Sequence, residues 1–434
     1  PSNAPTHIMW NSVEPDPFTK GGLYAAGTLY KTGDYRPYLY KTKDYGKTWS
    51  KITNGIPNNF FTRVLRADPN RQGLLYSGTE SGMFVSFDDG SSWNSFQLNL
   101  PLVPITDLAI KNDNLIASTQ GRSLWIIDDL TPIHQITKEI EDSNFHIFSP
   151  IDSYRMGKPG GGESSNAGQN HHNGVEIFFN INKKLIKDSS NISLEFLDDK
   201  KQLIKKYSNT DKKSQLKING EKNSFVWNMR YNDAKDFDGL IMWAANLRGP
   251  KAVPGSYFVR LNINGNSIEK SFNILKDPRS NSSIEDLKNQ FDFLMIVRDK
   301  VTGIHETIIQ IRSTRKQLND LKNKLDENHN ELKKDINDVV NKITKIEKTL
   351  YQTKNRSGQD PLNFPIKLNN KLAHLASIAS AGNYKPTNQM YGVRDELIQK
   401  IDIELNLWND IKENKLEKIN TAIKESNIQL ISIN

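Results

Sequence analysis

A repeated eight-residue pattern constrains the fold of this chain more than any other feature of its sequence. Residues 42–49 and 86–93 share the order hydroxyl residue, any residue, Asp, any residue, Gly, two further residues and Trp, with Asp44 and Asp88 lying 44 positions apart. A degraded copy, which lacks the Gly and the Trp, places Asp128 another 40 positions along the chain. Short apolar runs repeat in step with the pattern and predict about four strands per period. A period of about 40 to 50 residues with this strand content is typical of β-propeller blades.

The residue types of the repeated pattern suit a tight turn between two strands. An Asp carboxylate can accept backbone N–H bonds inside a hairpin, a Gly supplies a positive φ, and a Trp packs beneath the turn. None of these roles involves a substrate, so we interpret the pattern as structural and not as a calcium or catalytic site. The predicted structural residues are Asp44, Gly46, Trp49, Asp88, Gly90, Trp93 and Asp128.

The chain beyond the repeats falls into three further segments. Residues 151–173 are rich in Gly, Ser and Asn, which predicts a linker. Residues 174–277 alternate apolar and polar residues between turn-rich stretches, which predicts an immunoglobulin- or fibronectin-like β-sandwich with Trp227 and Trp243 in its core. In residues 283–430 the apolar positions alternate at spacings of four and three, which predicts a helical hairpin and an antiparallel helical bundle. The expected fold is multidomain, β then α, with a partial propeller of about three blades over residues 1–150.

Composition argues against several classes of function. The chain carries 58 basic and 50 acidic residues, and its lysines are interspersed with acids, so its net charge of +8 does not predict a nucleic-acid partner. It contains no cysteine, which excludes disulfides, zinc–thiolate sites and a thiol nucleophile. No apolar run approaches the ~18 residues of a membrane span. His171 and His172 have no evident third ligand, so we expect neither a metal nor another cofactor.

The repeats and their flanks resemble a known class of protein. The chain is similar to the C-terminal region of large bacterial sortilin-like proteins with Asp-box (BNR, sialidase-type) propellers, which are often labelled glycosyl hydrolases. This resemblance implies an exported, periplasmic or extracellular protein with further blades before Pro1. One departure is Gln120, where relatives often have His, so a role that depends on that imidazole would be absent. The similarity lies in residues 36–49, 74–82, 119–129, 249–257 and 277–279 and in the helical segment after them.

The loops between the second and third strands of each repeat are candidates for a ligand face. They lie opposite the Asp-box hairpins in a propeller, and here they are residues 29–37, 80–82 and 120–123. We interpret their charged and aromatic residues either as a surface for a carbohydrate or a peptide, or as ion pairs between blades. These candidate residues are Asp34, Tyr35, Arg36, Glu80 and Arg122, with Asp107 as a further candidate.

The sequence leaves three hypotheses about function open. The first is a non-catalytic binding or scaffold region that recognises a carbohydrate polymer or an extracellular protein or peptide. The second is a glycoside hydrolase, which needs two carboxylates about 5 to 10 Å apart; because no such pair is singled out here, we expect its acids to lie largely in blades before Pro1. The third is a sortilin-like peptide receptor or an assembly factor.

Overall fold

The computed structural model describes residues 1, 3–157, 168 and 170–425. The chain divides into two compact units, Pro1–Ser149 with Gln169–His171, and Pro150–Gly168 with His172–Asn434. The prediction of a β-rich portion followed by a helical C-terminal region is confirmed. Within the described residues, no helix is long and apolar enough to span a membrane.

The first unit contains three consecutive antiparallel sheets, each with its strands in chain order. Strands β1 to β4 form the first sheet, β5 to β8 the second, and β9 to β11 the third. Neighbouring strands are therefore also neighbours in sequence, which is the arrangement of propeller blades. The strands are β1 Met9–Pro15, β2 Leu23–Leu29, β3 Asp34–Thr42, β4 Ser50–Lys51, β5 Thr62–Ala67, β6 Leu75–Thr79, β7 Gly82–Ser86, β8 Asn94–Ser95, β9 Ile105–Lys111, β10 Asn114–Thr119 and β11 Leu124–Ile127.

The three sheets pack face to face through two apolar layers. The layer between the first and second sheets includes Ala26, Leu39, Leu65 and Trp93. The layer between the second and third sheets includes Tyr76 and apolar side chains from β5 to β7 and from β9 to β11. Because strands alternate their side chains between two faces, the second sheet supplies residues to both layers. This stacking gives the first unit a propeller-like architecture.

The third sheet differs from the first two because, within the described part of the chain, it has three strands and not four. After β11 the chain enters two short helices, α1 Thr131–Gln135 and α2 Lys138–Glu141, followed by strand β12 Phe145–Ile147. Asp129 accepts a hydrogen bond from the backbone N–H of Thr131 at 2.8 Å, and Pro132 lies in the first turn of α1. Pro in the first turn favours a helix start, because that turn needs no N–H from it.

The second unit begins with strands that form two facing sheets. In one sheet β14 pairs antiparallel with β17, and in the other the strand order is β13-β19-β18-β15-β16. Trp227 of β17 is fully buried and stacks on Phe196 of β15, with ring centroids 4.5 Å apart. The strands are β13 Ser153–Arg155, β14 Val175–Ile181, β15 Ile192–Leu197, β16 Leu203–Ser208, β17 Lys222–Trp227, β18 Gly255–Ile263 and β19 Asn266–Lys276.

Two sequence-based expectations for this region differ from the structure. Residues 151–173 were expected to form a linker, but Ser153–Arg155 pairs in parallel with β19, because its backbone extends that sheet; residues 158–167 and 169 of the predicted linker lie outside the described residues. The prediction that Trp243 fills the sandwich core is wrong. Trp243 is 38 % exposed, and its backbone is held by the side chain of Asn370 in the helical region.

Among the described residues, the helical region contains one helix of 41 residues, α3, and four shorter helices of 21, 12, 23 and 9 residues in chain order. A capping box formed by Ser283 and Asp286 starts α3, satisfying N–H groups that the first turn leaves unpaired. From Leu287 to Ile311, buried residues of α3 recur at intervals of three or four, as the sequence pattern predicts. The helices are α3 Ile284–Lys324, α4 Asn330–Leu350, α5 Leu368–Ala379, α6 Asn388–Asp410 and α7 Glu417–Glu425, with a π-helical turn Ile411–Leu416 between the last two.

A buried ion-pair cluster joins α3 to α4. Glu347 of α4 is 2 % exposed. Its carboxylate forms ion pairs with Arg312 at 2.7 Å and with Arg315 at 2.6 Å, both from α3. A buried carboxylate is costly unless it is paired, and two guanidinium groups meet that need. The cluster fixes the register of the two helices.

Candidate functional site

The two complete copies of the repeated pattern form nearly identical hairpin corners. In the first, Asp44 accepts hydrogen bonds from the hydroxyl of Thr42 at 2.8 Å and from the backbone N–H of Thr48 at 2.9 Å. In the second, Asp88 accepts from Ser86 and from the N–H of Ser92, both at 2.8 Å. The glycine of each corner has a φ of 81°, a conformation that glycine adopts without strain.

The same bonds shift the acidity of both aspartates. The bond from the backbone N–H of Thr48, followed by that from its hydroxyl, lowers the pKa of Asp44 to about 2. Burial raises the pKa of Asp88, but the hydroxyl and the backbone N–H of Ser92 outweigh it, so the net shift is downward. Both carboxylates are therefore held ionised by their own turns, and their acceptor oxygens are already occupied.

The tryptophans that end the two corners have different surroundings. Trp93 is 3 % exposed, packs against the first sheet, and donates its indole N–H to the carbonyl of Ile52 at 2.8 Å. Trp49 is half-buried and donates to Gly46 in its own turn at 3.0 Å. The difference arises because a whole sheet covers the second corner, while Ala4 and Ile8 pack with Trp49 on the outer face of the first sheet.

The first part of the predicted ligand face is a shallow groove beside β3. Asp34 and Arg36 form a bidentate ion pair, at 3.0 Å to Nε and 2.7 Å to Nη2. The bonds from Arg36, aided by the hydroxyl of Tyr38, lower the pKa of Asp34. Tyr35, which lies between them in sequence, is 52 % exposed. The groove is lined by Thr32, Gly33, Asp34, Tyr35, Arg36, Asn58 and Asn59.

An aromatic cluster supports this groove from below. The ring of Tyr30 stacks on Phe61 with centroids 4.9 Å apart, and the ring of Tyr35 lies 6.1 Å from the same Phe61. The guanidinium of Arg63 lies 5.3 Å from the centroid of the Phe61 ring. The same guanidinium forms an ion pair with Glu80 at 2.5 Å. The structure thus brings the predicted residues Tyr35 and Glu80 to one end of the first two sheets.

Arg66 is a central residue of the first unit that the sequence patterns did not reveal. From β5 it donates to the carbonyl of Leu108 at 2.8 Å, to the hydroxyl of Ser12 at 2.8 Å and to Asp107 at 2.7 Å. The carboxylate of Glu14 lies 3.6 Å away on β1. Arg66 therefore connects all three sheets, and Asp107 is part of this connection.

Glu14 and Asp107 are the carboxylates brought together around Arg66. Burial raises the pKa of Glu14, while Arg66 and the backbone N–H of Ala67 lower it less, so the net shift is upward. Both acids lie on the first strand of their sheet, as does Arg66. The sequence does contain a signal for this cluster. An alignment of the first strands of the three repeats places a charged residue on each of them.

The third predicted loop, residues 120–123, adds little to the candidate ligand face. Arg122 is exposed, and its backbone carbonyl accepts the indole N–H of Trp125 at 2.9 Å. Asp128 belongs to the incomplete third repeat, where the chain continues into α1 and forms no strand like β4 or β8. Over residues 1, 3–157, 168 and 170–425, no group of three or more His, Asp or Glu side chains is arranged to hold a metal ion.

Comparison with known proteins identifies no family. Neither the protein-family search nor the search of curated proteins gives a match. Similar solved structures include an ancestral GH74 enzyme (20 % identity, 26 % of this chain and 14 % of that one, TM-score 0.22). They also include YCF48 from Cyanidioschyzon merolae (17 % identity, 29 % and 42 %, TM-score 0.22) and the GH74 enzyme of Niastella koreensis (15 % identity, 40 % and 28 %, TM-score 0.24). The chain spans less than half the length of each, and similarity at this level establishes neither fold nor function.

Proposed function

We propose that this chain is a non-catalytic binding and scaffold region of an exported propeller protein, and that it recognises a carbohydrate polymer. The observation that carries the proposal is the groove beside β3, where the exposed ring of Tyr35 stands among the polar groups of Arg36, Asn58 and Asn59. An exposed aromatic face surrounded by hydrogen-bonding groups suits a sugar ring, which has both apolar C–H faces and hydroxyl edges.

The proposal includes the assignment of the three sheets as blades of a larger Asp-box ring. The two outer faces of the stack carry exposed apolar side chains, with Trp10 and Val13 on β1 and Leu124 and Ile126 on β11 being 37 % to 70 % exposed. Apolar side chains of this size on a sheet are normally covered by another layer. Neighbouring blades would cover them.

A polysaccharide-binding assay tests the proposal. The full chain would be applied to a panel of immobilised neutral and acidic polysaccharides, next to its Tyr35→Ala variant. Tyr45→Ala is a matched control, because Tyr45 is 71 % exposed and lies in the turn at the other end of β3. Nine residues of β3 separate the two ends, roughly 30 Å at the rise of a strand.

The proposal requires that one polysaccharide be retained by the unaltered chain and by Tyr45→Ala but lost by Tyr35→Ala. Retention by all three proteins would locate the binding surface elsewhere. If no polysaccharide is retained, or if both tyrosine variants lose it equally, the proposed groove is not a carbohydrate site.

Glycoside hydrolysis is the alternative, and Glu14 with Asp107 is the pair that bears on it. A raised pKa is what a general acid needs, and Glu14 has one. However, the guanidinium of Arg66 contacts both carboxylates and occupies the position between them. Release of reducing sugar that disappears in Glu14→Gln would favour the hydrolase over the binding region.

A further inference from the structure

A cavity of about 170 Å³ lies in the second unit, between the segment of residues 228–252 and the helices α3 and α5. Its apolar wall consists of small and branched side chains from the two helices. Its polar lining consists of Arg230, Arg248 and Arg298 together with the neutral Asn246 and Ser380, so its charged side chains are all basic. Among the described residues that line it, none is an Asp or a Glu.

The three arginines are not neutralised by acids inside the cavity. Arg230 donates to the carbonyl of Gly249 at 2.8 Å, and Arg298 donates to the carbonyl of Asn232 at 3.1 Å. Arg298 also pairs with Asp299 at 2.6 Å, but its Nε is buried and has no hydrogen-bond partner among the described residues. A buried N–H of a charged group without an acceptor is costly, so the site lacks an acceptor.

Further positive charge surrounds the cavity. Burial and the nearby Arg248 lower the pKa of Arg230, with Asp233 opposing them. Burial, Arg155 and Arg230 lower the pKa of Lys251 to about 8. Burial and Arg230 also lower the pKa of Arg155 to about 10. Each shift is toward the neutral form, which is the response of cations placed close together without enough anions.

The backbone holds these groups in a fixed arrangement. Residues 229–234 run antiparallel to residues 247–252, with Tyr231 N–H bonded to the carbonyl of Pro250 at 3.0 Å and Ala234 N–H to that of Leu247 at 2.8 Å. A Cβ on Gly249 would lie 2.2 Å from the carbonyl oxygen of Tyr231, so only glycine fits there.

The helices hold the same segment from the other side. The side chain of Asn246 donates to Ser377 of α5 at 3.0 Å, and the backbone N–H of Lys235 donates to Thr302 of α3 at 3.2 Å. A site whose donors are held before a ligand arrives binds with a smaller loss of conformational entropy.

We propose that this cavity binds a small oxyanion group through Arg230, Arg248 and Arg298. Guanidinium groups match the geometry of carboxylate, phosphate and sulfate oxygens, and an oxyanion would supply the acceptor that the Nε of Arg298 lacks. The volume is ample for an inorganic oxyanion or the acidic end of a small organic acid, because one water needs only about 10–15 Å³ of such space. The site is separate from the groove beside β3 and does not depend on the carbohydrate proposal.

Isothermal titration of the full chain tests the proposal. The probes are sodium phosphate, sodium sulfate, sodium acetate and sodium glucuronate, each at constant ionic strength with sodium chloride as the reference. The expected result is saturable binding of one or more probes at one site per chain. Phosphate and sulfate binding alone would identify an inorganic oxyanion site, and tighter glucuronate or acetate binding a carboxylate site.

Substitution at the exposed Arg248 separates this site from unspecific attraction to a basic protein. Arg248→Ala should weaken the affinity about tenfold or more, as expected for a lost charge-assisted pair of bonds, and Arg248→Lys should restore part of it. Lys217→Ala removes one positive charge from an exposed position of the same unit and should leave the affinity unchanged.

The Nε signal of Arg298 in a nitrogen-15 NMR spectrum provides a second readout, because it should shift on titration with the probe that binds. The proposal is overturned if no probe binds more strongly than chloride. It is also overturned if Arg248→Ala and Lys217→Ala bind equally well, or if binding leaves the Nε signal of Arg298 unmoved.

Discussion

The substitution Trp93→Ala tests how the second corner holds two sheets together. Trp93 is 3 % exposed and packs with the layer between the first and second sheets, so its removal opens a cavity in that layer. It also leaves the carbonyl of Ile52 without the indole N–H that now lies 2.8 Å from it. Large aromatic residues in such positions contribute about 3–5 kcal/mol, and we expect a loss of that size in the free energy of unfolding of the first unit.

Two further variants divide this loss into its parts. Trp93→Phe keeps most of the apolar area but loses the N–H, so we expect a loss of about 1–2 kcal/mol. Trp49→Ala removes the equivalent residue of the first corner, whose side chain is half-buried and donates its indole N–H within its own turn. Because less area is buried and no bond to another sheet is lost, we expect about 1–2 kcal/mol there as well.

Hydrogen exchange of backbone amides, read by mass spectrometry, is the suitable assay because it reports each strand separately. A tenfold change in exchange corresponds to about 1.4 kcal/mol. Amides of β6 and β7 should therefore exchange about 100- to 4000-fold faster in Trp93→Ala. If they exchange within a few fold of the unaltered chain, the second corner does not stabilise the stack.

Three other predictions concern single contacts. Arg66→Met should lower the free energy of unfolding by about 1–3 kcal/mol in urea titrations, because Glu14, Asp107 and the Leu108 carbonyl all lose their guanidinium partner; an unchanged midpoint would contradict its bridging role. Since the folded-state pKa of Asp44 is about 2 and its ordinary value 3.8, its stabilisation is complete above about pH 4 and is lost as the pH falls toward 2. The Asp44→Asn variant should therefore lose less stability than the unaltered chain between about pH 4 and pH 2 in melting curves. If the two proteins lose the same stability over this range, Asp44 does not contribute to it. Gly249→Ala should cost about 1–3 kcal/mol in thermal melts, because its Cβ would collide with the Tyr231 carbonyl; an unchanged melt would show that the backbone yields there.

Local chemistry explains which features the sequence could predict. The bonds of Asp44 go to Thr42 and Thr48, so all of its partners lie within four residues. The strands and helices follow from periods of two and about 3.5, which are also local patterns. Turn geometry and element type could therefore be inferred without knowledge of the tertiary fold.

The remaining features depend on contacts between distant residues. Arg66 meets Ser12 and Asp107, which are 54 and 41 positions away, and no local pattern pairs them. The different burial of Trp49 and Trp93 depends on what lies across each corner and not on the corners themselves. The basic cavity likewise needs Arg298 of α3 beside Arg230, which precedes it by 68 positions in a different element.

Crosslinking can test whether the second corner packs against the neighbouring first sheet. In the structure, the carboxylate of Asp89 in that corner forms ion pairs with Lys41 at 3.2 Å and with Lys43 at 3.0 Å. Lys41 lies on β3 of the first sheet, and Lys43 lies in the turn that follows it. A water-soluble carbodiimide joins a carboxylate to an amine that touches it, forming an amide while the carbodiimide takes up the elements of water and leaves as a urea. Treatment of the full chain, followed by tandem mass spectrometry, should yield peptides that join Asp89 to Lys41 or Lys43.

The pair of Lys418 and Asp335, 2.9 Å apart between α7 and α4, is the internal control. We expect both the control crosslink and the Asp89 crosslinks to form. Formation of the control crosslink without any crosslink from Asp89 to Lys41 or Lys43 would contradict the stacking of the two sheets.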